Sequence, residues 1–181
     1  MGPFEIKTTS IPGCVEIIPR IFEDDRGRFI KLFHHDFFIE HQLNTVYQEQ
    51  YYSVSSQRVL RGLHFQTPPQ AHIKLVSCIT GSILDVVVDL RKNSSAYKKV
   101  FSLELSSRKG NMLYVPEGLA HGFYVLSSTC IFLSMNSKKY SPECDSAIHW
   151  NSIDYNWPDS NPVVSEKDNS AISLNTFVST F

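Results

Sequence analysis

Apolar residues recur in short runs along most of the chain, and turn residues separate one run from the next. Within many runs, apolar and polar positions alternate or β-branched residues dominate, as they do in strands that bury one or both faces. The pattern predicts strands at residues 14–22, 28–33, 48–54, 59–65, 73–80, 82–90, 100–105, 111–115, 122–126 and 130–134. So many short strands with so little helix are typical of a β-sandwich or a barrel.

The connections between these strands carry further predictions. Gly81 alone separates two strands, which indicates a hairpin, and the β-branched run Ile83–Leu90 is predicted to be a central strand. The best short helix is Asp36–Gln42, with Asp36 as its cap. No linker or repeat divides the chain. We therefore expect one domain over residues 1–181, with a tail after about residue 168 that is partly helical or flexible.

The composition excludes several classes of function. Hydrophobic residues make up 42% of the 181 residues and charged residues 19%, which fits a globular protein. The formal net charge of −1 gives no electrostatic basis for binding nucleic acid or an anionic membrane, and no apolar run is long enough to span a membrane. The four cysteines form no C-x-x-C pair. They predict reduced thiols in the cytoplasm rather than a zinc site.

The segment Arg61–Gln66 (RGLHFQ) carries the most specific candidate chemistry. Strict strand alternation puts His64 on the face opposite Leu63, and Arg61 on the same face as Leu63. A bulge at Gly62 would bring Arg61 and His64 to one side. There His64 could take a proton from carbon, and the arginine could hold a phosphate or an oxyanion. An equally open alternative is a half-buried histidine that is hydrogen-bonded inside a sheet.

A second segment, Gly110–His121, resembles the second sequence motif of the cupins, which are jelly-roll proteins. Pro116 and Gly118 form a turn that lets His121 point into the mouth of a barrel. Metal-binding cupins also carry an H-x-H pair, whereas no second histidine follows His64 at that spacing. Because a metal needs three or more converging ligands, we expect no metal. Acid–base chemistry or substrate binding is then left for the two histidines.

Further motifs follow in order along most of the chain, from about residue 19 to residue 168. They are DRG-x-F at 25–29, VLRGLHFQ at 59–66, KLV at 74–76, DV-x-VDLR at 85–91, VPEG-x-AHGF at 115–123, YSP at 140–142, WN at 150–151 and SEKD at 165–168. As an ordered set they resemble the dTDP-4-dehydrorhamnose 3,5-epimerase family, although each motif alone is weak. The resemblance implies an all-β, cupin-type jelly roll (a double-stranded β-helix) with a few short helices.

The same resemblance implies an isomerase that needs no cofactor. Its substrate would be a nucleotide-diphosphate 4-keto-6-deoxy sugar, epimerised at C3, C5 or both through an enolate. By resemblance, His64 is the base, Asp168 orients its ring, and Lys74 stabilises the enolate. Arg61 and Lys167 would hold the diphosphate, because the arginine fork suits phosphate geometry.

The resemblance also implies four further substrate contacts, which are His121, Asp145, Arg26 and Phe29. Arg26 and Phe29 match a segment that reaches the nucleotide, often from the neighbouring subunit, so we expect a homodimer. From the residues alone, Lys74 could instead be a solvated edge-strand lysine, and Arg26 could have only a structural role in the turn in which it lies. Asp85 and Asp89 share a strand face by parity, and we predict that both are structural.

Three departures from the family pattern bear on mechanism and substrate. Ser134 stands where the family has a tyrosine proton donor, and a serine hydroxyl is a far weaker acid than a phenol of pKa about 10. Tyr140 or water is then the expected donor, and we predict inversion of one carbon only, with C3 the expected one. Lys31 replaces a glutamate, and Glu49–Ser53 (EQYYS), with Gln50 as a substrate contact, replaces QDNHS. Because lysine only donates, GDP- or CDP-linked sugars, including 6-deoxy-heptoses, join dTDP-sugars as candidates.

Two other functions stay open at this stage. A 3,4-ketoisomerase on the same scaffold would move the carbonyl group, whereas an epimerase leaves it in place. A non-catalytic sugar-nucleotide-binding protein would exchange no carbon-bound proton with solvent. An epimerase of this kind would serve polysaccharide or glycoconjugate synthesis.

Overall fold

Strands make up most of the regular structure in residues 2–181, which the computed structural model describes. They are β1 (Phe4–Thr8), β2 (Val15–Pro19), β3 (Ile21–Asp24), β4 (Gly27–Ile30), β5 (Glu49–Ser56), β6 (Leu60–Gln66), β7 (Lys74–Thr80), β8 (Ser82–Asp89), β9 (Val100–Ser106), β10 (Met112–Val115), β11 (Leu119–Val125), β12 (Thr129–Asn136) and β13 (Asp145–Ala147). The helices are α1 (His35–Glu40), a 3-10 turn (Trp150–Ser152) and α2 (Glu166–Asn169). None of the helices described is long and apolar enough to cross a membrane.

The strands form two main sheets and a separate hairpin. One sheet has the order β1-β2-β10-β7-β12-β5, and the other has the order β13-β6-β11-β8-β9. Strands β3 and β4 pair with each other in a sheet of their own. The neighbouring strands of all three sheets run antiparallel. The predicted all-β, cupin-type jelly roll with few helices is confirmed.

Both sheets are covered on their two faces, which explains the nearly continuous apolar runs in the sequence. The inner core lies between the sheets and includes Val76 of β7 and Val87 of β8. The outer face of the six-stranded sheet is covered by α1, whose Phe38 packs in one cluster with Leu75. Neighbouring residues of one strand therefore serve different cores, because successive side chains point to opposite faces.

The C-terminal segment covers the outer face of the five-stranded sheet. Leu174 is buried there, and the rings of Phe177 and Phe181 meet Phe65 edge-on at centroid distances of 5.4 and 6.1 Å. The sequence predicts a partly helical or flexible tail after residue 168, and in the structure this segment is packed against the sheet. Its apolar residues are spaced without a regular period, so the pattern alone does not reveal the packing.

Several local predictions are wrong. Strands β7 and β8 do not form a hairpin, because they lie in different sheets and the chain crosses between the sheets at Gly81. The strand predicted at 14–22 is broken at Arg20, between β2 and β3. Helix α1 is capped by His34, whose Nδ1 accepts the N–H of Phe37 at 3.4 Å, and Asp36 lies in the first turn. Strands β1 and β13 were not predicted.

A bulge in β6 determines how the candidate site is built. His64 pairs with His121 and Arg61 pairs with Phe123, so β6 has one more residue than β11 over this stretch. The two strands approach closely there. A Cβ atom on Gly62 would lie 2.5 Å from the Cα atom of Gly122, and only glycine leaves room for this contact. The bulge predicted at Gly62 is therefore confirmed.

Candidate active site

A cavity with two adjoining compartments, of about 320 and 200 Å³, opens between the sheets. This is the size range of small-molecule sites. His64 and Lys74 line both compartments. The other predicted site residues that line them are Tyr140, Asp145 and Lys167 in the larger compartment and Arg61 and His121 in the smaller. The bulge has thus brought Arg61 to the side of His64, although simple alternation separates them.

His64 and Asp168 form a short hydrogen-bonded pair. Nε2 of His64 lies 2.6 Å from Oδ1 of Asp168, whose Oδ2 accepts the N–H of Gly62 at 3.1 Å. Ser165 caps α2 by accepting the N–H of Asp168, which fixes the carboxylate against β6. Burial alone would raise the pKa of Asp168, but the hydrogen bonds from His64 and Gly62 hold it below its ordinary value. The ionised carboxylate accepts the Nε2 proton and leaves Nδ1 as the nitrogen that can take a proton.

Lys74 is a buried cation next to this pair. Its side chain projects inward from β7, the residue is 6% exposed, and its Nζ donates to the carbonyl oxygen of His64 at 3.2 Å. Burial lowers the pKa of Lys74 from 10.5 to about 8, although Asp85 and Asp145 act in the opposite direction. The alternative of a solvated edge-strand lysine is therefore wrong. The side chain is still mainly charged at neutral pH, where it can stabilise a developing oxyanion.

A second histidine–aspartate pair lies deeper in the barrel. Nε2 of His121 is 2.9 and 3.1 Å from the two carboxylate oxygens of Asp85, and both side chains are buried. Burial lowers the pKa of His121 and raises that of Asp85, and each partner opposes the shift of the other. Asp85, which the strand parity marked as structural, thus orients a histidine that lines the cavity.

Charged side chains also stand at the wall of the larger compartment. Nζ of Lys167 forms an ion pair with Oδ2 of Asp145, and this contact raises the pKa of the lysine. The hydroxyl of Tyr140 donates to the same carboxylate oxygen at 3.2 Å. In the smaller compartment, Nε of Arg61 donates to Oγ of Ser55 at 3.0 Å, which fixes the direction of the guanidinium group.

The predicted nucleotide contacts Arg26, Phe29 and Lys31 lie away from the His64 cavity. Arg26 is at the tip of the β3–β4 hairpin, paired with Asp24 at 2.5 Å, and its side chain is 90% exposed. The exposed ring of Phe29 lies 6.3 Å from that of Phe22. Phe29 and Lys31 line a separate cleft at the base of the hairpin. Within one chain, therefore, these three residues do not join the cavity.

Strand β5 contributes residues that the sequence analysis missed. Glu49 and Tyr51 line the cavity, so alternation directs the predicted contact Gln50 to the other face of the strand. Alternation along β5 could have identified Tyr51, but only once another residue of that strand was known to face the cavity.

A further residue that the sequence pattern did not reveal is His72, which also lines the cavity. Burial lowers the pKa of His72 to about 3, which keeps its ring neutral.

The cavity thus combines a histidine with a fixed carboxylate partner, a buried cation and a second, buried histidine. Such a set suits removal of a proton from a carbon next to a carbonyl group, because the cation stabilises the oxyanion that forms. Within residues 2–181, no group of three or more His, Cys, Asp or Glu side chains is placed to hold a metal ion.

Comparison with known sequences agrees with this chemistry. A sequence model described as dTDP-4-dehydrorhamnose 3,5-epimerase matches residues 8–176. The dTDP-4-dehydrorhamnose 3,5-epimerase of Methanothermobacter thermautotrophicus is 40% identical over 174 residues, which cover 93% of each chain.

Solved structures are similar over nearly the whole chain. A dTDP-6-deoxy-D-glucose-3,5-epimerase of Legionella pneumophila, in complex with dTDP-4-keto-L-rhamnose, superposes with a TM-score of 0.92 at 33% identity, covering 97% of this chain and 95% of the other. A 3'-monoepimerase of Streptomyces bikiniensis, in complex with dTDP-quinovose, superposes with a TM-score of 0.87 at 27% identity, covering 93% and 87%.

The burial of Lys74 leads to a direct prediction. NMR of protein with isotope-labelled lysine side chains should show one ammonium group that titrates near pH 8, since burial lowers the pKa of Lys74 to about 8. The signal should be missing from the spectrum of Lys74→Met and present in that of Lys92→Met, which removes an exposed lysine. A Lys74 signal that titrates at the ordinary value of 10.5 would contradict the described burial.

Proposed function

Because the chain belongs to the dTDP-4-dehydrorhamnose 3,5-epimerase family, and is an isomerase that epimerises nucleotide-diphosphate 4-keto-6-deoxy sugars, we propose that His64 is the base of the reaction. The observation that supports this role is the 2.6 Å contact between His64 and Asp168 inside the cavity. Asp168 keeps the proton on Nε2, so that Nδ1 is free to receive the proton from the sugar carbon. The carboxylate also stabilises the imidazolium that results.

Lys74 would stabilise the enolate. The 4-keto group makes the protons on C3 and C5 acidic, because the electron pair left by either proton moves onto the carbonyl oxygen. An ammonium group with low exposure interacts strongly with such an oxyanion. The hydrogen bond from Nζ to the His64 carbonyl holds the cation next to the base, where the oxygen on C4 would lie.

Four further side chains would hold the substrate. Arg61 and Lys167 carry the positive charge that a diphosphate needs, and they line the two compartments. His121, kept in one orientation by Asp85, and Asp145 offer hydrogen bonds to sugar hydroxyl groups. Because Lys167 is paired with Asp145, the arriving diphosphate would compete with this carboxylate for the lysine.

The reaction would invert one carbon only, C3. Ser134 provides no phenol at the position where the family has its proton donor, so one of the two inversions loses its acid. The 3'-monoepimerase of Streptomyces bikiniensis indicates that single inversion occurs on this fold. The unpaired state of all four cysteines agrees with a cytoplasmic enzyme of nucleotide-sugar synthesis.

A turnover experiment in heavy water tests the base and the number of inverted carbons together. With a nucleotide-linked 4-keto-6-deoxy sugar, NMR of the product should show inversion and deuterium at C3 alone. His64→Asn and Asp168→Asn should each lower the rate of exchange by about 10³-fold or more, since removing the partner of a catalytic histidine has a cost of this size. Asp154→Asn, which changes an exposed aspartate, should leave the rate unaltered.

Two results would contradict these proposals separately. Inversion and deuteration at both C3 and C5 would disprove the single inversion. Undiminished exchange in His64→Asn would show that another group is the base.

The nucleotide is proposed to be GDP or CDP rather than dTDP. Lys31 stands where the family usually has an acidic residue, and a lysine donates hydrogen bonds where a glutamate accepts them. The change therefore suits cytosine, whose N3 accepts a hydrogen bond where thymine N3–H donates one, or the O6 and N7 acceptors of guanine. The tyrosines of EQYYS are a weaker argument for this, because Tyr51 faces the catalytic cavity instead of the nucleotide cleft.

Calorimetry with the free nucleotides tests this assignment. GDP or CDP should bind at least about tenfold more tightly than dTDP, which corresponds to about 1.4 kcal/mol. Lys31→Glu should shift the preference toward dTDP, whereas Lys92→Glu should not. A clear preference of the unaltered protein for dTDP would refute the assignment.

The protein is proposed to act as a homodimer in which each β3–β4 hairpin completes the site of the partner. The hairpin exposes Phe22 and Phe29 next to each other, and such an aromatic patch is more typical of an interface than of free surface. This arrangement would also give Arg26 and Lys31 a nucleotide to contact, since neither reaches the cavity of its own chain.

Mixed dimers distinguish this arrangement from a hairpin that serves its own chain. Arg26→Ala and His64→Asn should each lower activity as pure dimers. A mixed dimer would hold one site with both residues intact, so random mixing should restore about a quarter of the activity of the unaltered protein. No recovery in verified mixed dimers would show that the hairpin does not serve the partner's site.

A further inference from the structure

Epimerisation requires an acid on the face of the sugar opposite the base. His64 projects from β6 in the five-stranded sheet, so the acid must come from the six-stranded sheet across the cavity. On that sheet Ser134 is fully buried, and its hydroxyl donates to Oδ1 of Asn136 at 2.9 Å. The serine is therefore occupied as a donor, besides being a weak acid.

The strand pairing identifies which other side chains face inward from this sheet. One row across β7, β12 and β5 contains Lys74, Asn136 and Glu49, and the next row contains Val76, Ser134 and Tyr51. Directly paired residues of antiparallel strands lie on the same face. Tyr51 is thus the cross-strand partner of Ser134, one interstrand spacing of about 4.8 Å away.

Lys74 of the same sheet is assigned to the enolate oxygen, and Tyr140 and Glu49, which also line the larger compartment, are already engaged. The hydroxyl of Tyr140 donates to the carboxylate of Asp145, and Tyr140 lies in the loop after β12. The carboxylate of Glu49 accepts the N–H of Tyr140 at 3.1 Å. Tyr51 lines both compartments together with His64 and Lys74, and its hydroxyl interacts with Ser134 and Asn136 rather than with a carboxylate.

We propose that Tyr51 is the catalytic acid of this enzyme, a phenol supplied from β5 in place of the one missing at Ser134. The proposal rests on His64 being the base, as proposed above. Tyr51 is 45% exposed as a residue, but desolvation of its hydroxyl raises its pKa above the ordinary value, although Ser134, Asn136 and Arg61 lower it, so the phenol holds its proton at neutral pH.

Each bond change has a definite partner. The C–H bond on one face breaks, its proton goes to Nδ1 of His64, and its electron pair forms the enolate that Lys74 stabilises. The O–H bond of Tyr51 then breaks, and its proton forms the new C–H bond on the opposite face. The imidazolium and the phenolate that remain return to their starting states when one proton passes from His64 to Tyr51 through solvent.

The displacement of the phenol by one strand also provides a reason for single inversion. C3 and C5 are the two ring carbons bonded to the carbonyl carbon, one on each side of it. An acid shifted by about 4.8 Å along the sheet can stay in reach of one of these carbons while it leaves the other.

The test is Tyr51→Phe in heavy water, with inversion and exchange measured separately. Without the acid, His64 still forms the enolate and returns a deuteron to the face from which it took the proton. Inversion should therefore fall at least about 100-fold, while exchange without inversion continues. Tyr52→Phe is the matched control, because Tyr52 is 68% exposed and faces the other side of β5.

Three results would overturn the proposal. Inversion in Tyr51→Phe within about twofold of the unaltered protein would exclude Tyr51 as the acid. A parallel loss of exchange and inversion would assign Tyr51 a structural role only. Loss of inversion with continued exchange in Tyr140→Phe would place the acid there instead. If His64 is not the base, exchange will persist in His64→Asn. That result distinguishes a failure of the proposed base from a failure of the proposed acid.

Discussion

The close approach of β6 and β11 at Gly62 and Gly122 is the constraint on which the site depends. A side chain on either glycine would meet backbone atoms of the other strand at 2.5 Å. The bulge that this contact allows turns Arg61 to the same cavity as His64, and it presents the N–H of Gly62 to the carboxylate of Asp168. One backbone irregularity thus positions the guanidinium of Arg61, the ring of His64 and the carboxylate that pairs with it.

How much of this site the sequence predicts depends on how close together in the chain the residues of each feature lie. The bulge could be predicted because a glycine between Arg61 and His64 is a local feature of one strand. The cupin-type fold and most of the cavity residues followed from motifs that run in order along the chain. The pairing of Asp168 with His64, by contrast, was implied only by resemblance, since 104 positions separate the two residues and no local pattern links them.

What the sequence left undetermined depends on which sheet each strand joins. A single glycine between two strands reads as a hairpin, yet β7 and β8 belong to opposite sheets. The crossing matters for chemistry, because it places Lys74 of β7 in one sheet and Asp85 of β8, the partner of His121, in the other. The inward direction of Tyr51 could not be predicted from the sequence either, because β5 has no apolar alternation strong enough to show which face is buried.

The two histidine–aspartate pairs show how exposure assigns different tasks to similar groups. His64 is 35% exposed at its side chain, so a ligand and solvent can reach it, whereas His121 is 4% exposed. Burial lowers the pKa of His121, and a charged imidazole there would be costly even beside Asp85. As a neutral group whose Nε2–H is donated to Asp85, His121 is therefore suited to accept a hydrogen bond at Nδ1. Their direct pairing across β6 and β11 places the proposed base next to the proposed binding group, and the difference in burial keeps the two roles distinct.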